Sequence, residues 1–255
     1  MTGIKKTVAM LATATLFLSP QKAAPSEKAV TAPILLYHHV RNGKHQYNVQ
    51  PNVFESQILW LRNNGYTFVT LSKLTDRLRN GTPLPNKPVV ITFDDGWKNQ
   101  HENAVPILKK YGATATFFVM AGAIGRGRCM TWENVRELAD AGMEMGSHTV
   151  SHPFLTRISD AQVQNELKGS KRILEKKLSK KITSFAYPYG AGAGTDRIVE
   201  AVKSAGYQAA RGVRQGIRHR LNRIFNLSTI EVPDGLEELI QLLERQNRFG
   251  EKQKE

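Results

Sequence analysis

Cysteine is almost missing from this 255-residue chain: Cys129 stands alone, so no disulfide can form within a monomer and a stapled scaffold is excluded. Acidic residues are scarce too, with 22 Asp and Glu against 36 Lys and Arg, which leaves a formal charge of +14. The excess gathers in two runs, seven cations over 168–181 and five arginines over 211–223. Such runs read as solvated faces or as contacts to an anionic envelope surface, such as an acidic glycan or membrane headgroups. No DNA- or RNA-binding motif is present, so nucleic acid is not expected as a partner. There is no repeat of fixed period and no low-complexity block, and past residue 30 no apolar run is long enough to span a bilayer.

The N-terminal segment does carry an apolar dozen. Lys5 and Lys6 precede the stretch 7–18, and Ser19-Pro20 and Ala23-Ala24 follow it. The pattern is that of a signal peptide or N-terminal anchor over 1–24, which predicts export to the periplasm, the cell envelope or the medium. The expected catalytic domain then covers 30–235, and 236–255 reads as a charged C-terminal helix or tail.

Between those ends, short β-branched or aromatic runs alternate with helical patterns. Strands are expected at 33–40 (PILLYHHV), 66–70, 89–93, 114–120, 143–148, 182–190 and 228–233, and helices at 71–80, 132–142, 160–178 and 195–205. This is the rhythm of an α/β fold, either a barrel or an open doubly wound sheet. In both, the carboxyl ends of the strands collect on one face and sites are built there.

Three of the strand ends carry polar groups. VVITFDDGW runs apolar into Asp94 and Asp95; SHTVSHP presents His148 and His152; and ITSFAYPYG ends in Tyr187 and Tyr189. In one helix-like turn, residues four apart stand about 6 Å apart, close enough for two imidazoles to share a metal ion. Asp-Gly is also an ordinary turn dipeptide, which accounts for one aspartate and leaves the other unexplained. Two histidines and one carboxylate form a three-ligand set that suits zinc, with cobalt, nickel or iron as alternatives. The second carboxylate is then free to act as a base toward water.

TFDDG at 92–96, SHTVSHP at 147–153 and YPYG at 187–190, with LLYHHV upstream and TATFFV between, together resemble the polysaccharide deacetylases, the NodB-like carbohydrate esterase family 4. In look they are nearest its exported poly-N-acetylglucosamine deacetylases. The resemblance covers about 33–213 and implies a distorted (β/α)7-type barrel and metal-dependent removal of N-acetyl groups from an N-acetylglucosamine polymer. It also implies Asp94 as catalytic base, Asp95, His148 and His152 as metal ligands, and the Tyr189 backbone N–H as oxyanion donor, with Tyr187 beside it at the substrate. The pattern departs from the family in two places. Ala186 occupies the position of the arginine that tethers the catalytic aspartate, and the late motif that supplies a general acid is missing. That leaves the general acid open; His38 or His39, at the end of the first strand, is a candidate for a catalytic role in the site, packing or a backbone hydrogen bond being the alternative. Two other readings fit the same residues: a metal-dependent amidase acting on a small amide or imide, and a glycan-binding protein without turnover.

Overall fold

The structure is a computed structural model that describes residues 29–251. The expected export segment at 1–24 lies outside those residues. Eight strands run parallel in one sheet: β1 Ile34–Tyr37, β2 Thr67–Phe68, β3 Pro88–Phe93, β4 Thr116–Val119, β5 Glu144–Ser147, β6 Ser184–Ala186, β7 Ala209–Gln215 and β8 Leu227–Glu231. The order is β1-β8-β7-β6-β5-β4-β3, and β3 pairs back onto β1 from Ile34–Val90 to Tyr37–Phe93, closing a seven-stranded barrel. The short β2 adds along the first residues of β3. This closure settles the choice between barrel and open sheet, and it matches the (β/α)7-type expectation.

Helices α1 Pro51–Asn63, α2 Leu71–Asn80, α3 Val105–Lys110, α4 Trp132–Asp140, α5 Asp160–Leu178, α6 Asp196–Ser204 and α7 Leu236–Glu251 accompany the strands. Their ends follow local chemistry. Thr131 with Asn134 and Ser159 with Gln162 form reciprocal capping boxes at the starts of α4 and α5. Gly81, left-handed at φ 74°, ends α2. Along α5, Val163, Leu167, Ser170, Leu174 and Leu178 recur at helical spacing and form its buried face.

Alternation along the strands separates two apolar layers. Leu35, Ile91, Phe93, Phe117 and Met145 belong to the larger cluster, shared with helix residues such as Phe54, Val135 and Leu167. Ile34, Val90, Phe118, Ala186 and Leu227 form a smaller cluster that continues into Leu71, Leu74 and Leu78 of α2. Phe118 is the bulky member, and Gly146 makes room for it, since a Cβ there would lie 2.5 Å from the ring. The C-terminal segment is bound to the barrel through α7, whose Leu239 and Leu243 are buried. Gln57 of α1 donates to the Pro233 and Gly235 carbonyls just before it.

Where sequence and structure differ, backbone pairing explains it. The first strand stops at Tyr37, and His39–Val40 leaves the barrel to pair with Asn48–Val49. Val30–Thr31 pairs antiparallel with Arg218–His219. These two-residue ladders have no periodicity to read.

Candidate active site and metal centre

The side chains of β3 are buried from Val89 to Phe93, and the strand ends where Asp94 begins. The chain turns away immediately afterwards, because Asp95 (φ 73°) and Gly96 (φ 79°) are both left-handed. Glycine is required at 96 for a second reason: a Cβ would stand 3.0 Å from Val119 Cγ1. The turn sends the two carboxylates to different partners around one centre. The Trp97 indole N–H donates to Asp95 Oδ2 at 2.9 Å, which leaves Oδ1 facing the histidines. Trp97 is itself stacked on the His39 ring, centroids 4.9 Å apart. Asn99 locks that ring: its Oδ1 accepts from Val40 N and its Nδ2 donates to His39 Nδ1 at 3.0 Å.

SHTVSHP is not a helical turn. Thr149 (φ 68°) and His152 (φ 62°) are left-handed, and the Thr149 hydroxyl accepts the His152 N–H at 2.9 Å, folding the loop back on itself. The result still brings the imidazoles together. His148 Nε2 and His152 Nε2 lie 3.1 Å apart, and Asp95 Oδ1 lies 3.6 Å and 3.3 Å from them. His148 Nδ1–H donates to the Ala186 carbonyl at 2.8 Å, so its Nε2 lone pair points into the cluster. Burial pushes the His148 pKa down to about 3, and burial also lowers His152. Neutral imidazoles and a carboxylate, with ligand atoms within 4.8 Å of one another, fit a divalent metal ion.

Asp94 is buried beside this cluster, its Oδ2 3.7 Å from His148 Nε2, and its other oxygen is taken by the Arg211 guanidinium. Arg211 is the tether that the sequence did not reveal. It stands on β7 directly opposite Ala186 of β6 in the strand register. The arginine function has thus moved one strand over and reaches Asp94 from across the barrel. Arg211 is fully buried, its guanidinium lies 4.9 Å from the Phe118 ring centre, and burial lowers its pKa to about 9, which leaves it charged at neutral pH. The signal in the sequence was one arginine in an otherwise small and apolar strand start, AARGV, masked by the basic run around it.

His38 lies near this centre at the end of β1: burial holds its pKa down to about 4, with Asp95 opposing and Arg211, His148 and His39 adding. Gln100, in a π-helical turn over Gln100–Ala104, donates to both the His38 and Asp94 carbonyls, at 2.7 and 2.5 Å, and ties the ends of β1 and β3 together. Tyr189 is left-handed at φ 58°, and its N–H has no hydrogen-bond partner among the described residues. Its ring meets His152 edge-on at 4.5 Å. Tyr187 has to be corrected. Its side chain is 1% exposed and its hydroxyl donates to the Phe225 carbonyl at 2.9 Å, so it packs in the core and cannot line a substrate site. His219 lies elsewhere, donating from Nε2 to Ala32 O on the small antiparallel ladder.

A closed parallel barrel that gathers two histidines, an aspartate and a tethered second aspartate at the carboxyl ends of its strands presents a donor set of the kind on which metal-dependent hydrolases are built. Comparison with known proteins gives the family. The sequence profile described as polysaccharide deacetylase matches residues 81–210. YxkH of Bacillus subtilis, described as a polysaccharide deacetylase, is 31% identical over 83% of this chain and 75% of its own. The poly-β-1,6-N-acetyl-D-glucosamine N-deacetylase of Staphylococcus aureus is 30% identical over 74% of this chain and 73% of its own. Among solved structures, the Streptococcus pyogenes deacetylase PplD in complex with acetate superposes with a TM-score of 0.79 at 29% identity, covering 84% of this chain and 99% of that one. The chain belongs to the polysaccharide deacetylase family, and its reaction is hydrolytic removal of acetyl groups from an N-acetylated glycan.

Proposed function

We propose that the enzyme is a zinc-dependent N-deacetylase of an N-acetylglucosamine polymer outside the cytoplasm, with poly-β-1,6-N-acetylglucosamine the first substrate to test. The observation that carries this is the division of labour between Asp95 and Asp94. One carboxylate groups with two neutral histidines, and the other, beside that set, has one oxygen on Arg211 and the second free. Export rests on the expected N-terminal segment. Work near an anionic envelope is supported by α5, where Lys168, Arg172 and Lys176 are exposed at four-residue spacing. No helix among the described residues is long and apolar enough to cross a membrane.

Asp95, His148 and His152 would hold the divalent ion, which supplies Lewis acidity toward the acetamide carbonyl and acidifies water at the site. Asp94 takes a proton from that water. Arg211 keeps the Asp94 carboxylate ionised and aimed. The Tyr189 N–H donates to the oxyanion as the carbonyl carbon becomes tetrahedral. The proton that Asp94 took from water is delivered to the departing amine by way of His38, whose ring rests neutral and carries that proton only in passing. Acetate and a glucosamine unit leave.

The test is acetate release from β-1,6-linked N-acetylglucosamine oligomers, peptidoglycan fragments and chitin oligomers, before and after chelation and zinc restoration. Release that survives chelation, or that is confined to small cyclic imides, would sink the reading. Bound metal with no release from any glycan would point instead to a binding protein.

A further inference from the structure

Among the described residues, the exposed large hydrophobic side chains are Tyr47, Leu59, Tyr189 and Val213. Three of these four sit at the mouth of the site. Tyr189, 55% exposed, touches the ligand histidine His152, and Val213 packs against the same turn, since a Cβ on Gly190 would lie 2.4 Å from it. Tyr47, 41% exposed, lies against the His38 ring with centroids 4.9 Å apart. Exposed aromatic rings in contact with catalytic groups mark a ligand surface more than a packing defect.

The ring order places them. Tyr47 goes with the end of β1, where its carbonyl accepts the His39 N–H, whereas Tyr189 follows β6. In the closed order β1-β8-β7-β6-β5-β4-β3 these strands are three steps apart one way and four the other, which is as far apart as seven strands allow. The two rings therefore come to the site from strands on opposite sides of the barrel, Tyr47 against His38 and Tyr189 against His152. Both are braced from behind. Phe154 stacks on Tyr189 at 3.9 Å and 7°, and the Arg157 guanidinium covers Phe154 at 4.3 Å. Tyr47 rests on His38, and its hydroxyl accepts from Gln46.

We propose that Tyr47 and the Tyr189–Phe154 stack are two sugar platforms that hold the glycan units on either side of the one being deacetylated. A pyranose offers an apolar face of C–H groups about the size of an aromatic ring. Laying it on a ring buries that face and sets the polarised C–H bonds against negative π density. A pair of platforms flanking the centre selects an interior unit of a chain over a terminal or isolated sugar. This rests on the glycan reading above, and it adds the length and position of the substrate.

The experiment compares kcat/KM for β-1,6-linked N-acetylglucosamine pentamer and dimer in wild type, Tyr47→Ala, Phe154→Ala and Tyr47→Phe. Wild type is expected to prefer the pentamer. Each alanine variant should raise KM for the pentamer about tenfold, equivalent to about 1.4 kcal/mol, with kcat little changed, and so narrow that preference. Tyr47→Phe keeps the ring face and should keep the preference. Equal use of dimer and pentamer by wild type, or an undiminished preference in both alanine variants, overturns the proposal. If wild type releases acetate from neither oligomer, the deacetylase reading is what has failed. Calorimetric titration with the pentamer then tests the platforms directly: binding weaker by about tenfold in the alanine variants supports them, and unchanged binding overturns them.

Discussion

Arg211 and Ala186 face each other across the β6–β7 ladder, and the guanidinium that the family pattern places at the alanine is supplied by the arginine. Moving the donor one strand sideways keeps Asp94 paired while leaving its backbone untouched.

This relationship predicts an asymmetric outcome. Arg211→Ala strips a buried carboxylate of its partner, so it should destabilise by about 3–5 kcal/mol and lower kcat about 100-fold or more. Ala186→Arg alone overpacks the barrel, whereas Ala186→Arg combined with Arg211→Ala should recover part of both losses. Denaturant melts and initial rates on the four proteins check it, and a double variant no better than Arg211→Ala contradicts it.

Trp97 fixes the orientation of Asp95 through one hydrogen bond. Trp97→Phe retains an aromatic ring against His39 but has no donor, and losing such an outer partner typically costs about 10–100-fold in metal affinity. Competition with a chromophoric chelator should show that weakening with little change in thermal midpoint. Unchanged zinc affinity would remove Trp97 from the metal centre.

His38→Ala should lower kcat on an N-acetylated glycan by about 100-fold or more, the usual contribution of a positioned acid. Metal content should stay intact. An acetyl ester with a good leaving group needs no proton at departure, so its hydrolysis should be far less affected. Equal losses on amide and activated ester would exclude the acid role.

Acid should unfold the protein through its buried histidines. His219, lowered to about 4 by burial with Arg214 adding, binds its proton in the folded state only well below the usual histidine value of about 6.5. The unfolded chain takes up that proton first, so stability is complete above about 6.5 and is lost as pH falls toward 4, by up to about 1.4 kcal/mol per pH unit for each such group. His219→Gln should flatten the slope of stability against pH in that window. A slope identical to wild type would mean that His219 does not titrate there.

The alternation of strands and helices was legible because its signals are local, whereas closure into a barrel came only from the family resemblance. The runs around Val90, Phe117 and Met145 are short and apolar, and the helical spacing of Val163, Leu167 and Leu174 is regular enough to place α5 at its observed ends. Asp94, Asp95, His148 and His152 could be read because they follow two strand ends, Phe93 and Ser147, within a few residues. Arg211 could not, since its partner is 117 positions away and the pairing depends on barrel closure. Tyr187 differs for a related reason: two positions before Tyr189, it is buried where Tyr189 is exposed, and no local pattern says which of the two tyrosines faces the core.

The left-handed backbone at Asp95, Thr149, His152 and Tyr189 has a consequence for how the enzyme fails. Outside glycine, such conformations persist only while surrounding contacts enforce them, and a β-branched residue like Thr149 is especially uncomfortable there. The loops around the centre are therefore poised to spring open before the barrel melts. Amide exchange at 149–152 and 189–191 should quicken well below the global midpoint once metal is withdrawn, and inactivation by chelation should then precede any loss of fold.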